Sequence, residues 1–485
     1  MIAGWSTEDV YAAEEALMAT LDDGELMARA VEGLAAVAAA RLEERGGRTV
    51  AALVGPGNNG ADALFAAARL AEAGWNAVAL HHETVHPGAA AGARAAGVVV
   101  TTDPRALAEA DVVLDGVLGI GARPGLPDWA RAWVAAVPDA AHVVAVDLPS
   151  GQDPAGVVFD PAGVIADETV TFSVAKPVHL LPPTEQACGV LTVVDIGLEV
   201  ATDPVVRRLD HDDVARRWPV PVPSDDKYSR GVVGVVAGGE SYTGAALLCT
   251  TAAVEAGAGM VRYVGTPTPS GLVRAHVPEV THGVGRVQAW VVGPGLDTTS
   301  RAAGSKAQLD AARAALAGEE PVVVDAGGLD LLDDDVLRGR RGRVTLLTPH
   351  AGECARLLTR LTGEEVERAD VEGAPLESAR RLASVTGATV LLKGATTLVV
   401  PPEEGAPVWS QSDAPAWLAT AGAGDVLAGL LGVLLAAGLR ADEAGALGAL
   451  VHGVAAERAN PGGPVRALAV AQAVPGTVAA LLRRR

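Results

Sequence analysis

Thr420-Ala421-Gly422-Ala423-Gly424-Asp425 runs directly into an apolar, alanine-rich segment from Val426 to Ala437. A small-residue turn that opens a helix aims several backbone N–H groups at one point, and the helix dipole adds partial positive charge there. Such a turn suits a phosphate or another oxyanion. An acid in the first helical turn then stands beside the anion, placed to accept a proton from a substrate hydroxyl. Two polar stretches precede the turn in the same half: Leu391-Leu392-Lys393-Gly394-Ala395-Thr396-Thr397 and Thr348-Pro349-His350-Ala351-Gly352-Glu353. The plainer alternative is a glycine turn in which Asp425 only complements the helix dipole.

The first half carries a second set of reactive types. Val54-Gly55-Pro56-Gly57-Asn58-Asn59-Gly60-Ala61-Asp62 follows a strand-like run and opens a helix. Its glycines permit close backbone approach, its Asn amides can hydrogen-bond phosphate or ribose, and Asn59 can offer a carbonyl oxygen to a hard cation. It is not a dinucleotide fingerprint of the G-x-G-x-x-G kind, and an Asn-Gly turn at a helix start is its bland reading. Downstream, Asp115 and Asp147 each end an apolar run and lead into Gly116-Val117-Leu118-Gly119-Ile120-Gly121 and Leu148-Pro149-Ser150-Gly151. Carboxylates at the carboxyl edge of a parallel sheet lie in the crevice where such folds bind ligands. One shared site explains both acids and the Asn-Asn turn better than separate turn caps do.

The elements that must hold these residues alternate. Apolar runs ending at Val54, Leu80, Asp115 and Asp147, then Thr169 to Phe172 and Leu191 to Asp195, are separated by Ala- and Leu-rich segments such as Ala63 to Ala73 and Asp128 to Val137. Continuous apolar strands in βα alternation predict a parallel sheet covered on both faces. Ser6-Thr7-Glu8-Asp9 resembles a capping box at the start of an N-terminal helix. A second βα series is expected at Val232 to Ala237, Ala289 to Gly293, Val322 to Asp325, Val344 to Leu347 and Val390 to Leu392. Three helices close the chain, near Asp425 to Ala437, Asp442 to Ala459 and Leu468 to Arg483. Between the series, Trp218-Pro219-Val220-Pro221-Val222-Pro223-Ser224-Asp225-Asp226 reads as a stiff linker, so domains are expected at 1–217 and 227–485, joined by 218–226.

Composition narrows the partners. The net charge of −21 speaks against nucleic acid or an anionic membrane surface. No apolar run approaches the ~18 residues of a membrane span, and Met1 to Asp9 lacks the basic and apolar regions of a signal peptide. Cys188, Cys249 and Cys354 are unpaired in spacing, as expected of reduced thiols in a cytoplasmic protein. Only 3% of residues are aromatic, so the core must be Ala, Val and Leu. Among 38 Lys and Arg residues only Lys176, Lys227, Lys306 and Lys393 are lysine. In so arginine-biased a chain, a retained lysine is a candidate for a role that needs a compact ammonium. Lys393, between an apolar strand and a glycine, fits that role, whereas Lys306 reads as a solvated charge.

Taken together the first-half motifs resemble those of the NAD(P)H-hydrate epimerase domain: Gly57-Asn58-Asn59-Gly60-x-Asp62, Asp115 with Gly119-x-Gly121, and Asp147-x-Pro149-Ser150-Gly151. The second half resembles ADP-dependent NAD(P)H-hydrate dehydratase through Gly238-Gly239 with Tyr242-Thr243-Gly244-Ala245, Gly257-Ala258-Gly259, Pro278-Glu279, Gly293-Pro294-Gly295, Thr348-Pro349-His350-x-Gly352-Glu353, Lys393-Gly394-x-x-Thr397 and Gly422-x-Gly424-Asp425. The fused pair resembles the bifunctional NAD(P)H-hydrate repair family over nearly the whole chain. That resemblance implies an α/β protein, a Rossmann-like parallel-sheet domain followed by a ribokinase-like one. It implies K+ at Asn59, Asp115 and Ser150. It implies hydrate binding at Asn58, Asn59, Gly60, Asp62, Gly119, Ile120, Gly121, Ala122, Arg123, Gly125 and Asp147 in the first half. In the second half it implies hydrate binding at Ala258, Gly295, His350 and Asp425, and nucleotide binding at Lys393, Gly394, Ala395, Thr396, Thr397 and Gly424.

The implied chemistry is repair of hydrated NADH and NADPH. Asp147 is the expected acid–base group for resetting the configuration at C6, and Asp425 the base that activates the C6 hydroxyl toward ADP, with Mg2+ assisting and Glu353 near it. Soluble small-molecule partners and a homo-oligomer are expected. The chain departs from the family at Ala61 and Ala63, where Gly is common, at Ile120, where Thr is common, and at Gly327, where an acid is usual. The competing readings are a small-molecule kinase in the second half and a binding module without activity in the first.

Overall fold

A computed structural model describes residues 1–82 and 87–484. The chain divides into two compact units, one of residues 3–206 and one of 1–2 with 207–485.

The first unit is built on seven strands: β1 (Thr49–Val54), β2 (Asn76–His81), β3 (Val99–Thr101), β4 (Val112–Gly116), β5 (His142–Val146), β6 (Glu168–Phe172) and β7 (Val190–Val194). They lie in the order β3-β2-β1-β4-β5-β6-β7, every pairing parallel. β4 and β6 are buried along their whole length, as an apolar run covered on both faces must be. The chain leaves β1 toward β2 on one side and returns as β4 on the other, so the order reverses between β1 and β4. Ligands bind at such a switch point, outside the carboxyl ends of the strands. The loop after β1 enters the helix Asn58–Glu72, and the N-terminal helix Thr7–Met18 starts at Ser6, whose hydroxyl accepts from the Asp9 amide at 3.2 Å.

The second unit repeats the logic with β8 (Val232–Val236), β9 (Met260–Val264), β10 (Thr281–His282), β11 (Ala289–Val292), β12 (Val322–Val324), β13 (Thr345–Leu347), β14 (Thr389–Leu392), β15 (Thr397–Val400) and β16 (Val408–Gln411). These run β16-β15-β14-β13-β12-β11-β8-β9-β10 within their sheet. Pairings are parallel from β14 through to β10, and β15 and β16 join antiparallel. The order reverses between β8 and β11. The helix Ala423–Ala436 crosses the sheet with every residue buried except Gly424 and Asp425. It lies close because its contact face is small: a Cβ at Gly432 would stand 2.3 Å from Val291 Cγ2. Among the described residues no helix is long and apolar enough to cross a membrane.

Two features differ from expectation. Residues 207–217 belong to the second unit, because Leu209, Val214 and Trp218 bury in its core. The prolines after Trp218 thus mark irregular backbone inside that unit. β9 and the β15–β16 hairpin are additional strands. β9 alternates buried with half-buried residues around Arg262 and is not a continuous apolar run.

Candidate active sites

At the switch point of the first unit, Asn59 ties three strand ends together. Its side-chain amide donates to Val146 O at 2.6 Å and to Leu118 O at 3.2 Å. The Leu118 amide in turn donates to Ser150 Oγ at 2.9 Å. Ser150 donates from its hydroxyl to one Asp115 oxygen at 2.7 Å and from its backbone to the other at 2.8 Å. Asn59, Asp115 and Ser150 are therefore joined through one residue, and all three present oxygen. Asp115 is fully buried, and that burial pushes its carboxyl up to about 6 against the pull of the Ser150 hydrogen bonds. Gly119 completes the wall: a Cβ there would lie 2.5 Å from Asn59 Oδ1.

Asp147 follows β5 in the left-handed region, φ 66°, which a non-glycine residue adopts at a cost. The turn is held from behind. His179 Nε2 meets Asp147 O at 2.7 Å, and the Lys176 amide donates to His179 Nδ1 at 3.0 Å, so Nε2 carries the proton. Burial first, then the nearby Lys176 charge, push His179 down to about 4, keeping the imidazole neutral. The buried Lys176 ammonium donates to Asp147 Oδ1 and, at 2.9 Å, to Thr171 Oγ1. Burial works to raise the Asp147 pKa, but Lys176 outweighs it and holds the carboxyl below its ordinary value.

Three further groups face Asp147. Asp62 is buried, and its Oδ1 has no hydrogen-bond partner among the described residues. Burial, then the charges of Asp147 and Glu14, push it up to about 7. Glu14, from the N-terminal helix, is raised by burial and by Asp147. Tyr11, one turn earlier, brings its hydroxyl to the Gly119–Gly125 loop, where a Cβ at Gly121 would lie 2.6 Å from it.

In the second unit the helix Ala423–Ala436 begins at Gly422, φ 89°, at the carboxyl edge of the sheet. Asp425 stands in its first turn, pushed up to about 7 by burial and then by Asp325, against the pull of Lys393. Lys393 Nζ donates to Asp325 Oδ1 at 2.8 Å and lies 3.8 Å from Glu353 Oε2. Burial opposes the Lys393 charge, but Asp325 and Glu353 hold its pKa above the ordinary value. A Cβ at Gly424 would stand 3.3 Å from Nζ, so the ammonium rests against the helix start. Thr348 Oγ1 donates to Asp325 at 2.8 Å. His350 caps the helix Ala351–Thr362: its Nδ1 accepts from the Glu353 amide at 3.2 Å, and Glu353 Oε2 accepts from the His350 amide at 2.9 Å. Gly295, after β11, sits at φ 61°. Lys393 to Thr396 form the turn between β14 and β15, with Gly394 and Ala395 exposed and Thr397 opening β15.

The sequence-predicted residues thus gather with two exceptions. Ala258 lies at the amino edge of the sheet, just before β9. The helix from Ala423 runs back to that edge, where a Cβ at Gly231, just before β8, would meet Ala436 O at 2.7 Å. Fourteen helical residues at ~1.5 Å rise put about 20 Å between the two ends. Gly257-Ala258-Gly259 is therefore a tight helix-to-strand turn, not part of the Asp425 cluster. Ile120 is the second: its side chain is buried in the apolar core, leaving only its backbone toward a ligand. Asn58 and Gly60 lie in the first turn of the helix Asn58–Glu72, and Ala122, Arg123 and Gly125 in the loop after β4, the two segments that frame the first-unit crevice, with Asn58 and Arg123 exposed. Ala61 and Ala63 lie within the helix Asn58–Glu72, outside the residues with positive φ, so their methyls strain nothing there. At Gly327 a Cβ would lie 2.0 Å from Leu296 O, so this backbone leaves no room for the acid common in the family.

Sequence reasoning missed Lys176 as the partner of Asp147, together with Thr171, His179, Tyr11 and Glu14. The scarcity of lysine was a signal that could have found Lys176, but it was applied to Lys393. Among the described residues no three His, Cys, Asp or Glu side chains are grouped to hold a metal ion.

A model of the NAD(P)H-hydrate dehydratase family matches residues 233–471, and a model of the YjeF-related protein N-terminus matches 23–178. The chain is similar to the bifunctional NAD(P)H-hydrate repair enzyme Nnr of Mycobacterium tuberculosis, 46% identical over 458 residues that cover 91% of each chain. It is 44% identical over 477 residues to that of Mycobacterium leprae, covering 94% of each. The solved structure of an ADP/ATP-dependent NAD(P)H-hydrate dehydratase from Bacillus subtilis, co-crystallized with ATP/Mg2+, aligns at TM-score 0.48 and 22% identity, covering 57% of this chain and 99% of that chain.

Proposed function

The chain belongs to the bifunctional NAD(P)H-hydrate repair enzyme family, and on that premise we propose that its two units perform the two steps of one repair. The first unit interconverts the R and S hydrates of NADH and NADPH at C6. The second dehydrates the S form with ADP, giving AMP and phosphate.

The observation that carries the second step is the cluster of Asp425, Lys393 and the helix start at Gly422–Gly424. A carboxyl pushed up to about 7 is part ionised at neutral pH, the range in which a general base works best. Asp425 takes the proton of the C6 hydroxyl, whose oxygen attacks the terminal phosphorus of ADP as the bond to AMP breaks. The helix N–H groups and the Lys393 ammonium stabilise the charge on the phosphoryl oxygens. Loss of phosphate from C6 and of a proton from C5 restores the double bond. Lys393, the turn Gly394 to Thr397 and Gly424 are assigned to the nucleotide, and Gly295 and His350 to the hydrate. Magnesium suits this site as an ion carried by the phosphates: Asp325 is already paired with Lys393, and Glu353 with the His350 amide. Bound, it would neutralise phosphate charge.

For the first step, Asp147 is the assigned base, kept ionised by Lys176. K+ fits the neighbouring oxygens of Asn59, Asp115 and Ser150, a donor set suited to a hard cation and not to zinc. Bound there it would offset the buried charge of Asp115 and fix the loop around Gly119. A cytoplasmic setting is supported by three buried, free cysteines.

The deciding assay mixes purified protein, the S hydrate and ADP. The absorbance of reduced nicotinamide should reappear together with AMP and phosphate. A stable phosphorylated alcohol would convict the second unit of being a kinase instead.

A further inference from the structure

Epimerisation at one carbon needs a proton given on one side of the reaction and taken on the other, and Asp147 supplies only the second. We propose that Asp62 is the proton donor of the epimerase site, working with Asp147 as the acceptor; the proposal rests on the epimerase reading of this unit.

Asp62 lies one turn into the helix Asn58–Glu72, whose first residues frame the crevice. It is 7% exposed, and its Oδ1 is buried with no hydrogen-bond partner among the described residues. An ionised carboxylate in that position would be costly, because nothing cationic is assigned to it. Among the described residues the buried ammonium nearby is that of Lys176, and it is engaged by Asp147 and Thr171. The charged groups that act on Asp62 are Asp147, after β5, and Glu14, from the helix Thr7–Met18, and both are acids. Glu14 is itself raised by burial and by Asp147, and Tyr11 is raised by burial, Glu14 and Asp147. Every one of these influences favours the protonated form of Asp62, whose pKa is pushed up to about 7. Lys176 acts in the other direction on Asp147, with a smaller pull from His179. Two carboxyls whose surroundings split them in this way divide the acid and base roles between them.

The step balances without a further reagent. The Asp62 proton passes to the C6 hydroxyl oxygen, the C6–O bond breaks, and its electron pair leaves with water. The N1 lone pair forms a C6=N1 bond, and the planar cation can take water on its other face. As the new C6–O bond forms, N1 regains its pair and the water proton passes to Asp147. Exchange through solvent returns that proton to Asp62.

The test follows R-to-S conversion by chromatographic separation of the epimers, without ADP, so that the second unit is idle. In the wild type kcat/KM should be full below pH 7 and fall above it, because the donor form of Asp62 is lost as pH rises through about 7. Asp62→Asn should cost about 100- to 10,000-fold, the usual contribution of a positioned proton donor, and should lose the descending limb. Asp62→Glu should recover part of the rate together with a limb. A wild-type profile that stays flat through pH 7 would overturn the proposal whatever the variants do, as would Asp62→Asn retaining both rate and limb. Failure of the underlying reading looks different: the wild type itself would run no faster than the spontaneous reaction at any pH.

Discussion

Asp425 was legible from its neighbours, since a small-residue turn ending in an acid and followed by an apolar helix can be read without coordinates. Lys176 was not, because the lysine is 29 residues from the acid that it serves. Only the return of the chain from β6 brings them together. Asp62 shows a third case, an acid that its motif marks but whose protonation depends on burial and on Glu14, which local sequence does not report. The Asp425 assignment makes a two-part prediction. Asp425→Asn should leave ADP affinity nearly unchanged in a binding titration, while ADP-dependent turnover falls about 100- to 10,000-fold. The sign of the pH effect is opposite to that of the epimerase. Asp425 acts as a base, so its active form is lost as pH falls through about 7, and turnover of S hydrate should rise with pH across that range. Near-normal turnover in the variant would return Asp425 to a helix-capping role.

At the level of elements, the apolar runs marked the strands that carry the sites because those strands are buried on both faces. The readings failed where burial is one-sided or where glycine serves packing. β9 alternates, and Gly257-Ala258-Gly259 matches a ligand motif while closing a turn at the far edge of the sheet. A Cβ at Gly259 would stand 2.0 Å from Lys227 O, so a close backbone approach explains that glycine without any ligand. Gly119 is the contrasting case, since its missing side chain makes room for Asn59 within the crevice. Gly119→Ala should push the Asn59 amide off Val146 O and Leu118 O, at a cost of about 1–3 kcal/mol for the strain and the lost hydrogen bonds. Calorimetry should show the loss in the transition of the first unit. Epimerase activity should fall with it, and turnover of S hydrate with ADP should stay at the wild-type level. If R-to-S conversion is unaffected, the Asn59 bridge does not position the site.

For the whole molecule, the net charge of −21 opposes anionic substrates. The second unit sets Lys393 and a helix start against that charge, while in the first the buried Lys176 is paired with Asp147 and keeps that carboxylate ionised. Each set of groups lies wholly within one unit: Asp62, Asp115, Asp147 and Lys176 in residues 3–206, and Asp325, Lys393 and Asp425 in 207–485. The two chemistries should then fail independently. Starting from R hydrate with ADP, the wild type should form reduced nicotinamide faster than spontaneous epimerisation allows. Asp147→Ala should fall to the spontaneous rate on R hydrate and keep full activity on S hydrate. Removing the carboxylate leaves the Lys176 ammonium buried and unpaired, which destabilises the first unit, so Asp147→Asn belongs in the same experiment as the milder change. Should both variants consume R hydrate as fast as the wild type does, the first unit is a binding module, and its buried acids serve something other than epimerisation. Should either variant also lose turnover of S hydrate, the two units are coupled, and the independence argued from their separate sites is wrong.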